Sequence, residues 1–93
     1  MNKEYKKEIK MLVMYSTILI KTTFEGEQEL IGLYWNIGKL LVDYKEKAKG
    51  LYGTHYVKDV TNKLTSIYGD QFNLENIQSA IKFYKLLPSG EKT

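Results

Sequence analysis

LIGLYWNIGKLLVDYKEK, residues 30–47, decides the fold. Its apolar residues Leu30, Leu33, Tyr34, Ile37, Leu40, Leu41 and Tyr44 recur every three or four positions, the period at which side chains line one face of an α-helix. Acidic residues just upstream, Glu27 and Glu29, suit the positive end of the helix dipole. The spacing therefore predicts a helix over 27–47. Gly32 and Gly38 inside it each cost about 1 kcal/mol relative to alanine. Close approach by a second helix would explain them, and so would sequence drift.

Upstream, a first helix is predicted over 3–23, with Tyr5, Ile9, Leu12, Val13, Ser16, Leu19 and Ile20 on its inner stripe. Met11, Met14, Tyr15 and Ile18 fall outside that stripe. An apolar surface that continues around a helix implies burial on more than one side, within the fold or against another chain. The β-branched run Thr17, Ile18, Ile20, Thr22 and Thr23 leaves a strand alternative open there. Gly26 marks the break.

Downstream, Lys49-Gly50-Leu51-Tyr52-Gly53 reads as a turn, and Thr54 is placed to cap a third helix with inner residues Val57, Val60, Leu64 and Ile67. Gly69 ends it. Asn73 is the expected cap of a fourth helix, whose inner face is Ile77, Ala80, Ile81 and Tyr84. Phe72 and Ile77 match the spacing of a hydrophobic staple around that cap. Pro88 closes the helix, and residues 89–93 read as a tail. The expected fold is an all-α, compact four-helix domain, with a helix-turn-helix-like pair in helices 3 and 4.

A chain of 93 residues accommodates one domain, here 1–93. With 43% apolar and 27% charged residues it has the composition of a folded domain. There is no cysteine, so disulfides and thiolate metal sites are excluded, and a reducing cytoplasmic setting is the default. The apolar run Met11–Ile20 follows a basic N-terminus, but it is far short of the roughly 20 residues that span a bilayer. It also lacks a small-residue cleavage pattern. No membrane role is expected.

The formal charge is +3, and all fourteen basic residues are lysines. Basic density is greatest around Lys45, Lys47, Lys49, Lys58 and Lys63. Without arginine there is no guanidinium fork for bidentate reading of guanine. Catalytic chemistry has no visible constellation. His55 is the lone histidine, and Glu25, Glu27 and Glu29 splay over different helical faces. Neither phosphate-binding glycine pattern is present, so no cofactor and no metal site is expected. The aromatic content is high, with eight tyrosines, three phenylalanines and one tryptophan. Most should pack in the core, while Tyr15, Trp35, Tyr52, Tyr56 and Tyr68 are candidates for a partner-binding surface.

LIGLYWNIGKLL, then GLYGTHYVKDVTNKL, then FNLENIQSAIKFYKLL resemble the N-terminal domain of YhcG-type proteins over about residues 30–87. The correspondence runs through Tyr34, Trp35, Ile37 and Gly38, then Tyr52, Gly53 and Leu64, and finally Phe72, Asn73, Asn76, Ile77, Phe83 and Tyr84. The resemblance implies a helical, helix-turn-helix-like DNA-binding region that is joined, in the family, to a nuclease domain of the PDDEXK class. The nuclease residues are not in this sequence, so no cleavage activity carries over. Where the family pattern tends to place arginines in the last helix, this chain has Gln78, Ser79 and Ile81. Fewer phosphate contacts would follow from that departure.

Two readings stand. In the first, Lys45, Lys47, Lys49, Lys58, Lys63, Lys82 and Lys85 meet phosphates of DNA while Asn73, Asn76, Gln78 and Ser79 approach bases. The second is a protein-interaction module, for example a phage or mobile-element inhibitor of a nuclease or host-defence complex. It would use Met11, Met14, Tyr15, Ile18 and the candidate aromatics. A homodimer through the first helix is compatible with either.

Overall fold

A computed structural model describes residues 3–26, 30–51 and 53–88. Among the described residues four helices follow one another: α1 (Lys3–Phe24), α2 (Leu30–Lys47), α3 (His55–Tyr68) and α4 (Leu74–Leu86), with a 3-10 turn at Asp70–Phe72 before α4. No strand occurs among the described residues. The fold is all-α. The expected start of α2 at Glu27, the turn residue Tyr52 and the tail over 89–93 lie outside the described residues.

The stretch 17–23 is helical and not a strand, and hydroxyls in it bond back to the preceding turn. Thr22 and Thr23 both donate to the Leu19 carbonyl, at 2.9 and 3.0 Å. Fully buried Ser16 donates to the Leu12 carbonyl at 2.8 Å in the same way. Each bond satisfies a hydroxyl within the helix, which is how Ser and Thr are accommodated there.

One core is shared by all four helices. Ile20, Leu33, Ile37, Leu41, Val60, Leu64, Phe72 and Ile77 are fully buried, joined by Ile9, Leu12, Tyr44 and Tyr56. Each such side chain contributes about 1.5–3 kcal/mol by leaving water. The central element is α2, which packs against α1 and, more extensively, α4. Gly38 explains the second packing: a Cβ there would run into the Ala80 carbonyl, 2.7 Å from its carbon. The glycine is needed for helix approach, which disposes of sequence drift at this position.

Three local expectations change. Thr54 precedes α3 but makes no side-chain cap, because its ψ of 2° departs from the extended conformation such caps use. Its carbonyl accepts from Val57 N at 3.2 Å instead. Ile67, expected inside, is 59% exposed. In that last turn of α3 the inward role falls to Tyr68, whose ring meets Phe72 edge-on at 5.9 Å. The stretch after Gly69, expected as a plain break, forms the 3-10 turn; Thr65 holds it by donating to the Phe72 carbonyl at 3.1 Å. Asn73 caps α4 as expected, its Oδ1 accepting from Asn76 N at 2.9 Å between the fully buried pair Phe72 and Ile77.

Candidate nucleic-acid interface

The C-terminal end of α2, the start of α3 and the outer side of α4 enclose a groove of about 700 Å³. Lys45 comes from the first and Lys49 from the turn after it, His55 and Lys58 from the second, Gln78 and Lys85 from the third. Apolar Val42, Val57 and Ile81 also line it, and Glu46 is the one carboxylate among its lining residues. Four ammonium groups against one carboxylate make the groove cationic, and lysine ammonium groups are point charges suited to phosphate oxygens.

Local structure fixes this convergence. Tyr56, at the second residue of α3, donates its hydroxyl to the Leu41 carbonyl at 2.8 Å and sets its ring 5.0 Å from that of Tyr44. This ties the start of α3 to the end of α2 and holds Lys58 beside Lys45. Burial pushes the Tyr56 hydroxyl pKa upward, so it stays a donor. Lys45 also sits in the last turn of α2, where the helix dipole favours cations. Lys49 follows with φ 53°, and Gly50 with φ 71°. The Gly50 amide returns to the Lys45 carbonyl at 3.3 Å.

The remaining nucleic-acid candidates separate. Lys47 and Lys82 are exposed but do not line this groove. Lys63 lines a different depression, between α1 and α3. Asn73 is taken up by its cap, and the Asn76 side-chain amide donates to the Gln71 carbonyl at 3.1 Å. Asn76 and Ser79 border a small hollow with Ile31 and Tyr34, on another side of α4 from Gln78. The polar residues of α4 are therefore divided between two surfaces.

Among the partner-binding candidates, Met11, Met14, Tyr15 and Ile18 are all exposed on α1, at 41 to 53%. Tyr56 is only 3% exposed, although its edge lines the lysine groove. Its hydroxyl and ring are both used inside, which corrects the expectation. Trp35 is half-buried, edge-on to Tyr84 at 5.2 Å, and donates its indole N–H to the Leu87 carbonyl at 2.8 Å. It anchors the end of α4. Tyr68 packs on Phe72, and Tyr52 lies outside the described residues.

Sequence reasoning passes over His55, Lys6 and Lys10 as groove residues. Lys6 and Lys10 line the depression that holds Lys63, and their spacing of four on α1 is the available signal. There, the Tyr5 hydroxyl donates to the Asp59 carboxylate. Burial, then the hydrogen bond to Asp59 and its charge, raises the Tyr5 pKa. His55 Nε2 stands 3.9 Å from the same carboxylate.

Among the described residues no group of three or more His, Asp or Glu is placed to hold a metal ion, and no helix is long and apolar enough to cross a membrane. No curated protein and no solved structure matches the chain. A family model does, and it reaches beyond the 30–87 stretch that carried the resemblance to include most of α1. From residue 9 to residue 93 the chain matches the DUF1016 N-terminal domain, and it belongs to that family.

Proposed function

We propose that the chain is a non-enzymatic, cytoplasmic nucleic-acid-binding domain that holds a sugar-phosphate backbone in the groove of Lys45, Lys49, Lys58 and Lys85. The supporting observation is their convergence from three helices on one concavity with a single opposing carboxylate. Lysines near the end of α2 also complement its dipole, a purely structural role. The left-handed φ of 53° at Lys49 belongs to that helix ending, where the Lys49 and Gly50 amides return to the Glu46 and Lys45 carbonyls. The helix-turn-helix-like pairing of α3 and α4 belongs to the same proposal. A labelled duplex titrated with the protein at low and moderate salt tests it. Binding should weaken steeply as salt rises, and no binding at micromolar protein would refute it.

A second reading rests on a separate observation, the exposed row Met11, Met14, Tyr15 and Ile18 on the side of α1 away from the core. Such a row suits a protein surface. A second copy packed on it would give a homodimer through α1. A nuclease or defence complex would give a mobile-element inhibitor. Sedimentation of the wild type beside Met14→Glu and Ile18→Glu separates these: a dimer dissociates on substitution, whereas a monomeric wild type removes the dimer.

A further inference from the structure

Two basic grooves flank α3. On one side lies the groove of Lys45, Lys49, Lys58 and Lys85. On the other, a depression of about 730 Å³ between α1 and α3 is lined by Lys6, Lys10 and Lys63. Asp59 is the one carboxylate among its lining residues, and the Tyr5 hydroxyl already engages it. On α3 itself, His55, Asn62 and Ser66 are exposed. They recur at helical spacing on one face with half-buried Asp59 between them, and Asn62 and Ser66 form the α3 side of the depression.

A single strand has one charged backbone and needs one cationic track. Two tracks on opposite sides of an exposed helix match a ligand with two backbones. A helix with its side chains is about 10–12 Å across, and the major groove of B-DNA is about 12 Å wide with a phosphate backbone along each edge. The major groove of an RNA duplex is too deep and narrow to admit side chains. We infer that α3 enters the major groove of double-stranded DNA, with Lys6, Lys10 and Lys63 on one backbone and Lys45, Lys49 and Lys58 on the other. This rests on the nucleic-acid reading above, specifies its ligand, and makes α3, not the second helix of the α3–α4 pair, the docking helix. It also transfers the base-facing role from Asn73, Asn76, Gln78 and Ser79 to Asn62 and Ser66. Asparagine can pair with an adenine edge, and serine with either donors or acceptors.

The test is fluorescence anisotropy on a duplex and on one of its strands, across a salt series. It uses the wild type, Lys6→Ala/Lys10→Ala/Lys63→Ala and Lys45→Ala/Lys49→Ala/Lys58→Ala, with circular dichroism to verify helix content. Both triple variants should lower the duplex salt slope by about 0.9 for each phosphate left without its lysine. Only the second should reduce the slope for the single strand. A first variant that keeps the wild-type duplex slope, while the second loses it, overturns the two-sided docking and leaves the nucleic-acid reading intact. A wild type that binds neither ligand overturns that reading, and the docking with it.

Discussion

Gly38 shows how a single missing Cβ sets the distance between two helices. Gly38→Ala gains about 1 kcal/mol of helix propensity, but it forces the new carbon against the Ala80 carbonyl, which backbone cannot easily yield. Overpacking of this kind costs about 1–3 kcal/mol, so thermal unfolding should show a lower Tm than wild type. Thr61 is the opposite case. It is 3% exposed and its hydroxyl oxygen makes no hydrogen bond, so Thr61→Val should raise stability by about 1 kcal/mol, read by urea denaturation. For Lys49→Gly the expectation is divided: relief of the left-handed strain stabilises the fold by roughly 1 kcal/mol, while the DNA salt slope falls by about 0.9. Unchanged binding would remove Lys49 from the interface. At this scale the Asn73 cap is legible in the sequence, because it follows from one residue's stereochemistry, whereas the sequence leaves Gly38 open between close approach and drift and the packing of α4 decides it. Tyr56 and Ile67 are not, since their burial depends on how the end of α2 and the last turn of α3 meet their neighbours.

At the scale of elements, helical periodicity carries most of the information. The stripe of α2 and the inner face of α1 are readable because each places its apolar residues at three-to-four spacing. The 3-10 turn is not, because Gly69 and a short polar stretch fit many connections. Tyrosine hydroxyls tie the elements together: Tyr5 to Asp59 between α1 and α3, Tyr34 to the Gln71 carbonyl, and Tyr56 to the Leu41 carbonyl. All three pKa values are raised above the ordinary value, chiefly by burial. Their contribution is full below the unfolded-state value of about 10. It is lost as pH rises through the higher folded values, because the unfolded chain ionises first. The denaturation midpoint should therefore fall on moving from neutral pH to above about pH 10. Tyr56→Phe should make that fall shallower, and an equally steep fall would contradict its part in the linkage.

At the scale of the whole molecule, the lysine groove is only partly visible in the sequence. Lys45, Lys49 and Lys58 are close along the chain, but Lys85 joins them through the packing of α4 on α2, and Lys63, on α3 like Lys58, faces the depression beside α1. Helical phase and tertiary packing, neither written in the local pattern, decide which charges share a surface. If the groove grips phosphates as a unit, its lysines must together set the salt dependence of binding. The direct measurement is duplex affinity across a salt series for wild type beside Lys45→Ala/Lys49→Ala/Lys85→Ala. Log affinity should decline linearly with log salt for the wild type, and the variant's slope should be shallower by about 0.9 for each phosphate it no longer neutralises. Equal slopes for the two proteins would contradict a phosphate grip in this groove.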